Sequence, residues 1–397
     1  MPTRPRTLWT FAVTAVALLM VTLDNLVLIT ALPAIRAELG ATLEGLEWTV
    51  NAYTLTFAVL LLTGAALGDR FGRRRVLIVG LIAVAVATAA TGLAGSLAAL
   101  VVGRLATGAG QGSLFANDRA IIASVTPREK IGLGQGVSFT GPGLGITIGL
   151  IAGGMLADAF SWRAVLLLFA LGPLAAALAI FRWVPSMPPS PVAVALWPRL
   201  RAVLATPTVW ALGAAGACGI YVQFVLATWA PMFFIETGVH GLAQAGTLAA
   251  TQGLAAVAAL ITGGWVDDRL RRRRVQHTTV MSAGFFALAL SMGGMTLALA
   301  SGSFAGLAMT LPVAAFFVWA IWPSSYALLS ELVAPADLGA AFGLVNSICF
   351  VGAIVGPAVT GWTRDLTGSF ASGCVVAVGV ALAGAVLAML VPAPIRA

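Results

Sequence analysis

Apolar runs of about twenty residues recur along this whole chain, separated by short polar turns. A helix rises 1.5 Å per residue, so about 20 residues cross the ~30 Å hydrocarbon core of a bilayer. Twelve such segments can be read. In the first half they are 8–32, 48–67, 76–94, 97–124, 131–156 and 164–183. In the second they are 209–235, 247–266, 278–300, 304–329, 338–362 and 372–391. The expected fold is an all-α membrane protein with twelve transmembrane helices.

Composition narrows the class further. The chain is 60% hydrophobic and 9% charged, far from the balance of a water-soluble domain. Its net charge of +8 would suit a nucleic-acid partner if it covered one exposed face. Instead the charge is confined to turns between apolar runs, so nucleic acid is excluded. Nearly all basic residues are arginine, and the richness in Ala, Gly and Arg points to a bacterial source. Cys218, Cys349 and Cys374 all lie inside apolar runs, which predicts buried thiols rather than a disulfide framework. Arg4 and Arg6 precede an apolar run of about 25 residues, too long for a cleaved signal, so it reads as the first span.

The arginines also set an expected orientation. With the N-terminus inside, cytoplasmic segments hold about 17 of the 22 basic residues; Arg36, Arg163 and Arg364 fall outside. Arg104 and Arg119 sit within a span. Both termini are then cytoplasmic, in a multi-pass protein of the bacterial inner membrane. Between about Arg182 and Pro207 the proline-rich run VPSMPPSPVAVALWPRLR reads as a central cytoplasmic linker. The expected organisation is a first six-helix half over 1–183, the linker over 184–207 and a second half over 208–397.

One turn is repeated. Gly64 to Arg75 reads GAALGDRFGRRR, and about 199 residues later Gly264, Asp267, Asp268 and Arg269 precede Arg271 to Arg274. Two such basic turns half a chain apart indicate an internal duplication, and hence two pseudo-symmetric halves. A Gly with Asp four residues later also closes the fifth span (Gly154, Asp158) and the eleventh (Gly361, Asp365), as an inverted three-plus-three repeat would require.

The pattern G-x-x-x-D-R-x-G-R-R resembles the signature loop of the major facilitator superfamily of secondary transporters. Ala65 stands where the first Gly is usual, and Gly72 has no counterpart after Asp268. The resemblance covers essentially the whole chain. It implies two halves that rock around a site at the membrane midplane. The stretches LDNLVLITALPAI (23–35) and EWTVNAYTLTF (47–57) resemble the first two spans of the drug/proton antiporter group. GRLATGAGQG (103–112) resembles the family's fourth-span motif, with Thr107 in place of Gln. Gly136, Gly145, Gly149, Gly153 and Gly154 resemble the antiporter motif of the fifth span, with Leu150 where its proline belongs. In the second half, TWAPMFF (228–234) and GPAVTGWTRDLTGSF (356–370) resemble the anion/cation symporter branch.

Candidate sites follow from charges placed where charge is costly. Asp24 lies about 16 residues into the first span, where a carboxylate costs roughly 2.5–3.5 kcal/mol. Arg104 enters the fourth span at a similar depth. Asp24 and Arg104 are expected to pair and to couple protons to transport. Two alternatives stay open: a permanent structural pair, or an Arg104 that anchors an anionic substrate. Asn25, Gln111, Tyr221, Gln223, Trp319, Trp322 and Asn346 are the candidate cavity residues, since aromatic surface with a few polar groups suits an amphipathic organic substrate. The family resemblance implies a gating role for Asp69, Arg70, Arg73, Asp118, Asp268 and Arg269. Within that set Asp118 is expected to pair with an arginine of the 69–75 turn, such as Arg73, Arg119 to reach the interface, and Asp69 to accept at a helix N-terminus of the opposite half; a second proton site at Asp118 and Arg119 is the alternative. Gly145, Gly149, Gly153 and Gly154 are assigned to close helix packing, or to a direction of transport. Trp48 and Trp362 are assigned to the interfacial belt.

No cofactor is expected. His240 and His277 lie in or near loops, which gives no metal cluster. The single lysine, Lys130, precedes Ile131, so there is no P-loop, and no nucleophile elbow or HExxH pattern occurs. An enzyme is not expected. The leading function is proton-coupled efflux of a drug-like organic compound by a monomer, its partners being protons, the lipid bilayer and the small substrate. Proton-coupled import of an organic anion is the second reading, and a non-transporting membrane sensor is the third.

Overall fold

A computed structural model describes residues 4–185, 201, 203–334 and 337–391. Most of the expected linker therefore lies outside the described residues. Among these residues there is no strand. Seven helices precede the linker: α1 Arg4–Leu39, α2 Leu43–Phe71, α3 Arg73–Gly92, α4 Leu97–Val125, α5 Ile131–Ser138, α6 Thr140–Ala159 and α7 Trp162–Trp183. Seven follow it: α8 Pro207–Glu236, α9 Leu242–Ala249, α10 Thr251–Arg272, α11 His277–Ala300, α12 Phe304–Leu332, α13 Leu338–Thr367 and α14 Ala371–Leu390.

Nine of the described helices are long and apolar enough to cross a membrane, and ten if the bent α2 is taken as one span. The other expected spans are α4 and the pair α5 and α6. α4 carries Arg104, Asp118 and Arg119. The expected span over 131–156 is broken at Phe139 into two helices. A similar break at Ala250 separates α9 from α10.

Local chemistry explains several ends. Thr42, Ser96, Ser161 and Ser303 each accept a hydrogen bond from the backbone N–H three residues on, capping α2, α4, α7 and α12. Gly72 turns the chain between α2 and α3 at φ 93°, a region that favours glycine. The second basic turn lacks that glycine, and there Arg274 takes φ 67° after α10.

The chain forms two compact units. The first comprises the residues before Pro127, those from Ser138 through α7, and the start of α13 up to Gly343. The second comprises Pro127–Val137, α8 to α12, and the rest of α13 with α14. Within each unit, glycines let helices approach to backbone contact. A Cβ on Gly141 of α6 would stand 2.0 Å from the Ala15 carbonyl oxygen of α1, and one on Gly145 would stand 2.7 Å from Thr22 Cβ. In the second unit, a Cβ on Gly352 of α13 would stand 2.1 Å from the Ala217 carbonyl oxygen of α8. The outward faces are apolar: Leu168, Leu171, Leu178 and Phe181 of α7 are exposed, as are Val79, Ile82 and Val86 of α3. A surface of that kind is suited to hydrocarbon rather than water.

Candidate functional site

In the first unit, α1, α2, α3 and α4 converge on the Asp24 carboxylate. Arg104 Nη1 donates to its Oδ2 at 2.9 Å, and the Thr88 hydroxyl of α3 donates to its Oδ1 at 2.6 Å. Arg104 also donates from Nη2 to Asn25 Oδ1 at 2.5 Å and from Nε to the Thr49 carbonyl at 3.3 Å. Its guanidinium carbon lies 4.5 Å from the centre of the Tyr53 ring. The Tyr53 hydroxyl donates to Gln111 Oε1, and Gln111 Nε2 donates to the Val21 carbonyl at 3.4 Å. Asp24 and Arg104 are 2% and 1% exposed, so the charges face each other out of solvent.

The local sequence places each member. Thr49 and Tyr53 are four apart on α2, and Arg104, Thr107 and Gln111 follow one stripe of α4. Gly108 on that stripe admits α2, because a Cβ there would stand 2.4 Å from the Tyr53 carbonyl oxygen. The site thus brings together Asp24, Arg104, Asn25 and Gln111. Asn25 and Gln111, candidate cavity residues, are part of the charge-pair network. Thr88 and Tyr53 complete it and were missed. Thr88 gave no signal within an apolar run, and Tyr53 stood unremarked inside EWTVNAYTLTF.

The second unit gathers the aromatic candidates. Trp322 Nε1 donates to Gln223 Oε1 at 3.1 Å, linking α12 to α8. The Tyr326 hydroxyl donates to Asn346 Oδ1 at 3.2 Å, linking α12 to α13. The Trp322 and Tyr326 rings stack with centroids 5.6 Å apart. Trp319 is buried on the same helix. Tyr221 packs under α13, where a Cβ on Gly356 would stand 2.6 Å from its carbonyl oxygen. The buried hydroxyls of Tyr221 and Thr360 interact without a well-formed hydrogen bond.

The gating candidates form separate clusters. Arg73 donates to Asp69 Oδ1 from Nε at 3.2 Å and from Nη2 at 3.0 Å, across the Gly72 turn. Asp118 pairs with its neighbour Arg119, whose Nε lies 3.0 Å from Asp118 Oδ2, and not with Arg73. Asp69 already holds Arg73. Arg119 does not reach the interface; it is fully buried, with its guanidinium 4.8 Å from the centre of the Phe139 ring. Arg70 and Arg269 are exposed and lie over the rings of Phe71 and Trp265.

Asp268 accepts from the backbone N–H groups of Gly132 and Leu133 at 3.0 and 2.9 Å, at the start of α5. Asp69 lies against the start of α13, its Oδ1 3.2 Å from where a Cβ on Gly339 would stand. Of the packing glycines, Gly145 meets Thr22 and Gly149 meets Leu26. Gly153 and Gly154 continue α6, and their surroundings lie outside the described residues. Trp48 and Trp362 are exposed, at 52% and 62%. No group of three or more His, Cys, Asp or Glu among the described residues could hold a metal ion.

A family model described as Major Facilitator Superfamily matches residues 14–318 and 240–396. The tetracenomycin C resistance and export protein of Streptomyces glaucescens is 36% identical over 39% of this chain and 29% of its own length. The puromycin resistance protein of Streptomyces alboniger is 35% identical over 40% of this chain and 32% of its own length. The chain therefore spans about a third of the length of these resistance relatives. The hexuronate transporter of Bacillus subtilis (strain 168) is 23% identical over 91% of this chain and 88% of its own length. Among solved structures, the human organic anion transporter has a TM-score of 0.81 at 17% identity, covering 98% of this chain and 100% of its own.

Proposed function

Because the chain belongs to the Major Facilitator Superfamily, we propose that it is a secondary active transporter that exports drug-like or other amphipathic organic compounds in exchange for protons. The buried Asp24–Arg104 pair carries this reading. An aspartate deep in a membrane helix is worth its insertion cost where it binds and releases a proton. In the proposed cycle, protonating Asp24 weakens its hold on Arg104 and changes what the adjoining surface binds. Arg104 has five N–H groups, and Asp24, Asn25 and the Thr49 carbonyl take three of them. The resistance relatives, at 35–36% identity, support export.

In this reading the chain works as a monomer, with two six-helix halves that rock by alternating access in a bacterial inner membrane, both termini cytoplasmic. The aromatic group Trp322, Tyr326, Gln223 and Asn346 contacts the organic substrate. Asp69 and Asp268 hold helix starts in one state of the cycle and let go in the other. No bond of the substrate is made or broken, so no enzymatic step is assigned.

A second reading is proton-coupled import of an organic anion, with Arg104 as its anchor. The hexuronate transporter, which matches across 91% of the chain, favours it. One experiment separates the two. The protein is placed in liposomes with a trapped pH-sensitive dye, and organic cations and anions are screened against the parent and Asp24→Asn. Export predicts proton movement of antiport sign with cations, lost in Asp24→Asn. Proton movement of symport sign with anions selects the importer. Proton movement that survives Asp24→Asn removes Asp24 from the coupling step under either reading.

A further inference from the structure

A second buried acid–base cluster lies in the other unit, apart from the Asp24 network. His277, the first residue of α11, is 3% exposed. Its Nδ1 lies 2.8 Å from Oδ1 and 2.7 Å from Oδ2 of Asp267, which is fully buried on α10. Its Nε2 lies 2.6 Å from Nη1 of Arg271, one turn along α10. That same Arg271 nitrogen also contacts Oε1 of Glu331, near the end of α12. Glu331 Oε2 stands 3.6 Å from His277 Nε2.

The proton positions follow from the partners. A guanidinium donates and cannot accept. At 2.6 Å, Nε2 must therefore be the acceptor and carry no proton. The proton of the neutral ring then sits on Nδ1 and is donated to Asp267. The result is one continuous chain: carboxylate, imidazole, guanidinium, carboxylate. A second proton on the ring would point Nε2–H at an Arg271 N–H. Arg271 then has to leave, and its side chain, 37% exposed, is free to do so. The acceptor already within reach of Nε2 is Glu331.

We propose that His277 is a proton-binding site that exchanges the partner of Glu331. With the ring neutral, Arg271 bridges His277 and Glu331, tying α10 to α12. With the ring protonated, Glu331 bonds the imidazolium directly, tying α11 to α12, and Arg271 is released to water. Asp267 stays bonded in both states and acts as the fixed point.

α10 supplies Asp267, Asp268 and Arg271, and α12 supplies Glu331. The basic turn before the ring also carries Arg272, Arg273 and Arg274, and the short 128–130 helix packed on α10 carries Arg128, Glu129 and Lys130. α14, which packs along α11, has no charged residue, and the charge of α8 is at its far end, on Glu236. The cluster also borders the start of α5: a Cβ on Gly132 would stand 2.9 Å from both Asp267 Oδ2 and Asp268 Oδ1. The state of His277 is thus felt where Asp268 holds the Gly132 and Leu133 amides.

The sequence makes the test clean, because it holds two histidines and His240 is exposed. The full chain carrying His240→Gln, labelled with ring ¹⁵N histidine in lipid nanodiscs, reports His277 alone. NMR of the ring nitrogens is followed between about pH 5 and 8. The expected result is an Nδ1–H tautomer at the upper end that gains a proton as the pH falls. Arg271→Met, which removes the donor to Nε2, should let an Nε2–H tautomer appear at the upper end, and Arg271→Lys, which keeps charge and donor, should hold the parent's Nδ1–H tautomer. An Nε2–H tautomer in the parent, a ring that takes up no proton as the pH falls, or a tautomer unchanged by Arg271→Met would overturn the proposal.

Discussion

The Asp24 carboxylate and the Arg104 guanidinium, 80 positions apart in the chain, meet at 2.9 Å, and both are closed off from solvent. Each is held by further partners: Thr88 on the acid, and Asn25, the Thr49 carbonyl and the Tyr53 ring on the base. A charge pair with so many neutral supports is fixed in place while both members are ionised.

The first prediction concerns the worth of that pair. Arg104→Gln leaves a buried carboxylate without its counter-charge and should lower stability by about 3–5 kcal/mol. Asp24→Asn should cost less, because the amide can still accept from Thr88 and Arg104 keeps its other contacts. The double variant should be more stable than the sum of the two losses implies. Denaturation in detergent micelles, read as a double-mutant cycle, measures this. Additive losses would mean that the two groups do not act as a pair.

The α1–α6 seam gives a steric prediction. A Cβ on Gly141 meets the Ala15 carbonyl oxygen at 2.0 Å, and a backbone atom cannot rotate aside as a side chain can. Gly141→Ala should therefore destabilise by about 1–3 kcal/mol. Gly379 of α14 has open space around it, and there Gly→Ala should be neutral or stabilising by about 0.5–1 kcal/mol. Melting temperatures of the two variants in one detergent compare them. A Gly141→Ala variant as stable as the parent would show that α1 is free to shift.

Both the Asp24–Arg104 pair and the packing glycines Gly145 and Gly149 could be read from sequence for the same reason, whereas Gly141 and the partner helix could not. Ionised groups and repeated glycines are costly inside apolar helices, so the few present stand out, and counting residues along a span gives their depth. The supports could not be read. Thr88 has no charge to mark it, and Tyr53 is a common residue in an apolar run. The Asp118–Arg119 pairing was not legible, because adjacent residues on a helix ordinarily point apart. Asp267 was seen only as part of a repeated turn, and His277 as a loop residue. Their meeting depends on how α10 and α11 pack, which no local pattern encodes.

Asp268 offers a prediction at backbone level. Its two oxygens take the Gly132 and Leu133 amides, which begin α5 and have no acceptor within that helix. Asp268→Ala should expose these amides and weaken the helix start by about 1 kcal/mol. Hydrogen exchange followed by mass spectrometry should show faster exchange in the peptide covering 131–138, with α14 unchanged as the internal control. Equal protection in parent and variant would mean that other contacts hold α5.

Glu38 at the end of α1 gives a pH dependence with a fixed sign. It accepts from Trp162 Nε1 at 2.6 Å and from Arg163 Nη2 at 2.9 Å, both at the start of α7. The Trp162 hydrogen bond, followed by the hydrogen bond and charge of Arg163, holds its carboxyl below the ordinary value of 4.5. A carboxylate with a depressed pKa stabilises the fold above its unfolded value, and that contribution is lost as the pH falls through the folded value. Lowering the pH from about 5 to about 3 should therefore reduce the melting temperature of the parent more than that of Glu38→Gln. At pH 7 the variant should be the less stable of the two, and the gap should narrow on acidification. A gap that stays constant with pH would show that the Glu38 charge adds nothing to the join between α1 and α7.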